Sequence, residues 1–256
     1  MNGYDEYLLS VFKDVSKVLK VKEPYIIIDE IAKKTQETGV LIDYDRQLLA
    51  GILGAKLHKV YCDGRKLDKP NEQGLPNNPR LKTLDSELDK EFVLNFKEQT
   101  IKTIQEGNQP DFSTLFFKDG NVVMDIANTD FANLSPYWQK ENYLAGDTAV
   151  CLILSNWQGL KHRDKIVRNF VEIAVASAIH ECWKSRGNVS KTKDWDNSIL
   201  ARPYKELSLE EANKDSVQMH MAKALLEEIA PNLNYNKNNL LNTQKPKQRQ
   251  TTLFEF

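Results

Sequence analysis

The chain has 256 residues, 41% hydrophobic and 28% charged, a balance typical of a protein with one large or two small folded domains. A formal net charge of −1 excludes the broad basic field that nonspecific nucleic-acid binding requires. The three cysteines (Cys62, Cys151 and Cys182) have no tight spacing, and the N-terminus lacks the basic-then-apolar order of a signal peptide. Because no apolar run is long enough to span a membrane, we expect a cytoplasmic protein in a reducing compartment, with no membrane partner.

The predicted elements are mostly helices, because apolar residues recur at intervals of three and four along most of the chain. Helices are predicted at 4–19, at 25–37, from Asp43 or Asp45 towards Val60, and at 84–105, 139–157, 164–184 and 208–229. A loop is predicted from Gly64 to Pro79, and a hairpin from Leu115 to Ile126 with Asp119-Gly120 as its turn. The predicted fold class is mainly α: one or more helical domains with one small β-hairpin and a disordered C-terminal tail.

Four regions are predicted along the chain. They are an N-terminal helical region (1–105), a hairpin plus helical module (106–230), a flexible tether (231–249) and a terminal peptide (250–256). The tether is rich in Asn, Gln and Lys. Such a composition buries too little apolar surface to offset the entropy lost on ordering.

The terminal peptide places three large apolar residues after this polar tether, in the order Gln250-Thr-Thr-Leu253-Phe254-Glu-Phe256. Gln-x-x-Leu-Phe resembles the peptide by which bacterial proteins bind the DNA sliding clamp. Gln250, Leu253 and Phe256 also resemble the first, fourth and seventh positions of the archaeal and eukaryotic clamp-binding PIP box, without its frequent aromatic at position eight. The resemblance implies that Leu253 with Phe254 or Phe256 fills an apolar pocket while Gln250 hydrogen-bonds at its edge. The alternative is that the last residues fold back onto the domain surface.

A second motif lies between residues 171 and 221. A predicted helix ends in His180-Glu181-x-Trp183, and a Pro-Tyr-x-x-Leu turn precedes a helix with the capping-box pair Ser208 and Glu211. This pattern resembles the repeat domain first described in ryanodine receptors (the RyR domain), in which that turn packs against the His-Glu-x-Trp helix. The motif residues that the resemblance implies are His180, Glu181, Trp183, Arg186, Trp195, Pro203, Tyr204 and Leu207. The segment Lys191-Thr-Lys-Asp-Trp195-Asp departs from the Gly-Trp-x-Tyr-Gly sequence common in that family.

Candidate catalytic and metal sites are each explained better by a structural role. Zinc needs paired local ligands, which the cysteines and histidines do not provide, and His180 is expected to be a buried histidine bound by a carbonyl. A Cys/His hydrolase would combine Cys62 or Cys151 with His58 or His180, but no oxyanion loop surrounds either cysteine. The acidic pairs Asp29/Glu30 and Asp43/Asp45 resemble magnesium ligands, but such pairs are common at helix starts.

The sequence therefore favours a non-enzymatic adaptor without cofactor or metal, recruited by residues 250–256 to a DNA sliding clamp. It would act in DNA replication, repair or late transcription, contact nucleic acid indirectly, and be of the kind that phages and mobile elements encode. The alternative is a RyR-type module that binds a nucleotide-like ligand near Trp183, Trp195 and Tyr204, with an incidental tail. A third hypothesis is an enzyme whose site is assembled from both halves of the chain.

Overall fold

The computed structural model describes residues 3–66, 79–187 and 201–230. This part of the chain forms eight helices and a three-stranded antiparallel sheet, which confirms the mainly α fold class. The helices are α1 (Gly3–Val21), α2 (Pro24–Thr38), α3 (Asp43–Lys66), α4 (Lys90–Gln105), α5 (Pro136–Ser155), α6 (Trp157–Leu160), α7 (Lys165–Gly187) and α8 (Leu209–Ile229). None of these helices is both long and apolar enough to cross a bilayer. The tether 231–249, the peptide 250–256 and Trp195 lie outside the described residues.

Local sequence signals explain where two of the helices begin or end. Helix α2 starts at Pro24 and stops at Gly39, whose φ of 67° lets its N–H donate to the Thr35 carbonyl. Helix α8 starts after Ser208, whose hydroxyl accepts from the Glu211 N–H at 3.2 Å, as the capping pattern predicts.

The sheet contains the predicted hairpin and one strand that the sequence analysis missed. Strands β2 (Leu115–Lys118) and β3 (Asn121–Asp125) are joined at Asp119 and Gly120, and both turn residues have positive φ. Strand β1 (Leu81–Thr83) pairs with the other edge of β3, which gives the order β1-β3-β2.

The predicted start of the fourth helix at Leu84 is wrong. Helix α4 begins at Lys90, because the preceding residues pair with β3: the Leu84 N–H donates to the Val122 carbonyl at 3.0 Å. A 3₁₀ turn at Glu87–Asp89, capped by the Ser86 hydroxyl, then separates the strand from the helix.

Two hydrophobic clusters hold the described residues together. The larger one takes side chains from α1, α2, α3, α5, α6, α7 and α8, and includes Ile229 and Ala230 at the end of α8. The smaller one joins the sheet to α4 and to the start of α5. The larger core thus draws on both sequence regions, 1–105 and 106–230, and their division into separate units stays a prediction.

Helices α3 and α5 cross with their backbones in contact. A Cβ placed on Gly146 of α5 would lie 2.1 Å from the carbonyl oxygen of Ala50, and one placed on Gly54 of α3 would lie 2.5 Å from the carbonyl oxygen of Asn142. Only glycine permits so close an approach. The crossing also brings polar side chains of the two helices together.

Candidate functional site

The RyR-like motif residue His180 lies at the centre of a cluster formed by α7, the segment before α8, and α8 itself. Its side chain is 4% exposed. The Nε2 atom lies 2.9 Å from the carbonyl oxygen of Arg202, and Nδ1 lies 3.2 Å from a carboxyl oxygen of Asp215. Both ring nitrogens therefore have partners, as expected for a buried histidine bound by a carbonyl.

Two aromatic motif residues enclose the imidazole. Trp183, one turn further along α7, stacks on His180 with centroids 5.9 Å apart and an interplanar angle of 25°. The ring of Tyr204 lies 6.2 Å away, and its hydroxyl lies 3.2 Å from the Ser216 hydroxyl on α8. The 3₁₀ turn Tyr204–Glu206 that follows Pro203 is thereby fixed between α7 and α8.

Hydrogen-bond chemistry restricts the protonation of this cluster. A carbonyl oxygen only accepts, so Nε2 of His180 carries a proton and donates it to Arg202. A hydrogen bond between Nδ1 and the Asp215 carboxyl group then requires a proton on one of the two atoms, because both otherwise only accept. Burial raises the pKa of Asp215 to about 6, against the opposing influence of His180.

The remaining motif residues lie at different places. Glu181 is exposed and forms an ion pair with Lys184 at 2.8 Å. Arg186 points to α5, where it donates to the Thr148 hydroxyl at 3.0 Å. Burial lowers the pKa of Arg186, while the carboxyl group of Glu141 on α5 opposes that shift.

Leu207 completes the turn, since its N–H donates to the Tyr204 carbonyl at 3.2 Å. The described motif thus brings His180, Trp183 and Tyr204 together, leaves Glu181 in solvent, and uses Arg186 to connect α7 with α5.

A second polar cluster, which the sequence analysis missed, lies between α3 and α5. Arg46 donates from Nε to Asp43 at 2.9 Å, and its Nη1 forms an ion pair with Asp147 and lies 3.0 Å from the Cys151 sulfur. The sequence signals were local pairs at helical spacing, 43 with 46 and 147 with 151, but the two pairs are about a hundred residues apart. Burial, more than the neighbouring charges, raises the pKa of Cys151 to about 11. This thiol is therefore protonated near neutral pH and is a weak nucleophile.

His58 and Cys62, which the hydrolase hypothesis would combine, do contact each other, one turn apart on α3. The Cys62 sulfur lies 3.3 Å from Nε2 of His58, and the same nitrogen lies 2.8 Å from the Thr129 carbonyl. Because Nε2 donates to that carbonyl, it cannot also accept the thiol proton. Burial raises the pKa of Cys62 and lowers the pKa of His58. This geometry disfavours a thiolate–imidazolium pair.

Three of the four acidic residues that resembled magnesium ligands contact cations or an amide. Glu30 forms an ion pair with Lys22, Asp45 pairs with Lys34 at 2.8 Å, and Asp43 also accepts from Gln47. Within residues 3–66, 79–187 and 201–230, no group of three or more His, Cys, Asp or Glu residues is placed to hold a metal ion.

The described aromatic residues of the C-terminal half do not surround one cleft. Trp157 is buried in the larger core, and Trp138 packs against the smaller cluster with the Lys82 ammonium 5.5 Å from its ring. Trp183 belongs to the His180 cluster. A groove of about 450 Å³ does exist beside α4, lined by Leu84 and Val93 among others, far in sequence from the motif.

The chain matches no protein-family model, no curated protein and no solved structure.

Proposed function

We propose that this protein is an adaptor that binds a DNA sliding clamp through residues 250–256, while its helical part provides a second interaction. The observation that carries the proposal is the spacing of Gln250, Leu253, Phe254 and Phe256 after a segment rich in Asn, Gln and Lys. Leu253 and one or both phenylalanines would fill an apolar pocket of the clamp. The setting would be DNA replication, repair or late transcription, in a phage or mobile element.

The position of the peptide relative to the core supports a tethered mode of action. Ile229 and Ala230 are the last described members of the larger core, and nineteen residues lie between Ala230 and Gln250. A segment of that length spans up to about 65 Å when extended. The adaptor could therefore engage a clamp without moving the helical part onto it.

The test measures binding of a labelled peptide covering 245–256 to bacterial, archaeal-type and phage clamps. We expect a dissociation constant on the order of micromolar for one clamp, typical of a short segment that orders on binding. Leu253→Ala with Phe254→Ala should abolish this binding, whereas the matched control Thr251→Ala with Thr252→Ala, at intervening motif positions, should keep it. Equal binding by both variants, or binding to none of the clamps, would refute the proposal.

A second candidate function is a RyR-type ligand-binding module, favoured by the assembly of His180, Trp183 and Tyr204 into one cluster. Aromatic rings beside the Asp215 carboxyl group suit a flat, nucleotide-like ligand. A nucleotide at a hundred times its dissociation constant would add about 2.7 kcal/mol to the free energy of unfolding. A thermal-shift screen across nucleotides tests this function, and no change in melting temperature for any of them would count against it.

A further inference from the structure

The outer face of α7 is an exposed apolar surface. Ile166, Phe170 and Ile173 follow at intervals of four and three, so they share one side of the helix, and their exposed fractions are 66%, 70% and 58%. The opposite side carries Val175 and Ile179, both in the larger core. A helix that is apolar on both sides is normally covered on both. We call this surface the α7 outer face, and we expect another segment or protein to cover it.

The packing of α7 against α8 shows where the described chain ends relative to this face. His180 pairs with Asp215, and Glu172 pairs with Lys223 at 2.9 Å. The two helices are therefore antiparallel. Continuing this antiparallel register places Ala230 beside the first turn of α7. The chain thus leaves α8 next to Ile166, where the α7 outer face begins.

The chain beyond Ala230 has the length and the chemistry to return to this face. The face extends over about 10 Å of helix, from the helical rise of 1.5 Å per residue, whereas residues 231–249 reach several times that distance. Leu253, Phe254 and Phe256 supply three large apolar side chains within four positions. Attachment to the same chain also gives them a local concentration in the millimolar range.

We propose that the α7 outer face binds the chain's own segment 250–256 and thereby competes with the partner of that segment. The proposal rests on the proposed function, because the competitor is the sliding clamp. Segment 250–256 is then held against α7 until a clamp captures it, and the apparent affinity of the full chain is lowered by the fraction of docked molecules.

The first experiment observes docking without any clamp, by methyl NMR of the full chain. We expect the Cδ1 resonances of Ile166 and Ile173 to shift when Leu253 and Phe254 are replaced by alanine, while those of Ile101 and Ile104, on α4, stay unchanged. Unchanged resonances at Ile166 and Ile173 would overturn the docking proposal, whatever the clamp does. Shifts that depend on protein concentration would also overturn it, since a second copy would then be the occupant.

The second experiment measures clamp affinity for the full chain and for peptide 245–256. We expect the full chain to bind at least fivefold more weakly than the peptide, and Phe170→Ser to remove that difference. The matched control is Leu94→Ser on α4, a residue with 54% exposure and no place on the α7 outer face. If the full chain, both variants and the peptide bind equally, docking fails and the clamp function stands. If the methyl shifts occur but no clamp binds, the docking surface stands and the clamp function fails.

Discussion

The crossing of α3 and α5 predicts a large and specific effect of Gly146→Ala. The new Cβ would lie 2.1 Å from the Ala50 carbonyl oxygen and 2.9 Å from the Gly54 nitrogen, whereas real Cβ contacts essentially never fall below 3.0 Å. Because both contacted atoms belong to backbone, no side-chain rotation relieves the overlap. The two helices must separate by about 1 Å, in a core packed as densely as a molecular crystal.

The size of the effect follows from two opposing contributions. Overpacking lowers the free energy of unfolding by about 1–3 kcal/mol or occasionally more, and alanine in place of glycine inside a helix raises it by about 1 kcal/mol. Since the clash is with backbone, the upper end applies, and we expect a net loss of about 2 kcal/mol. At about 2–4 °C per kcal/mol, the melting temperature should fall by about 4–8 °C.

The matched control is Gly64→Ala, also within a helix of this pair. A Cβ on Gly64 would meet no atom within 4 Å, so only the gain in helix propensity, up to about 1 kcal/mol, should remain. Urea unfolding followed by circular dichroism measures both variants. If Gly146→Ala proves as stable as the wild type while Gly64→Ala is stabilised, the close backbone contact between α3 and α5 does not exist.

Three further perturbations test the polar clusters by urea unfolding. Burial raises the pKa of Asp215, so protonation of this carboxyl group stabilises the fold. The wild type should therefore gain stability relative to Asp215→Asn as the pH falls from about 6 towards 4. An opposite trend would indicate an imidazolium–carboxylate pair. Burial lowers the pKa of His58, so the stability that depends on its neutral form should be lost as the pH falls below about 6.5. His58→Gln should reduce this loss. Equal losses in the wild type and the variant would show that neutral His58 does not stabilise the fold. Arg46→Met leaves the Asp147 carboxylate unpaired and should lower the free energy of unfolding by up to about 3 kcal/mol. Adding Asp147→Asn to this variant should restore part of that loss. Additive losses from the two changes would mean that the two side chains do not interact.

Local patterns were sufficient to predict most helices. The recurrence of apolar residues located the helices, and Ser208 marked the start of α8 because its hydroxyl caps the Glu211 N–H. The contact between His58 and Cys62 could also be predicted, because a spacing of four puts both side chains on one face of α3.

Features that depend on distant partners could not be predicted in this way. Strand β1 has three residues with no strand pattern of their own, and it exists because it pairs with β3 some forty residues later. The ion pair between Arg46 and Asp147 depends on the close crossing at Gly54 and Gly146, which single glycines in helical sequence do not reveal. The partner of His180 was predicted as a carbonyl, but only the fold identifies it as that of Arg202.

The antiparallel pair α7 and α8 connects the two proposals of binding. The His180 cluster lies near the start of α8, and the α7 outer face lies towards the end of α8, about 10–20 Å away along the helix axis. We expect a ligand at the cluster to influence docking of segment 250–256 only if it changes how α8 packs on α7. If it does, thermodynamic linkage requires clamp binding to change the affinity for that ligand by the same factor. The cluster and the tail are thus either coupled in both directions through this helix pair or independent in both.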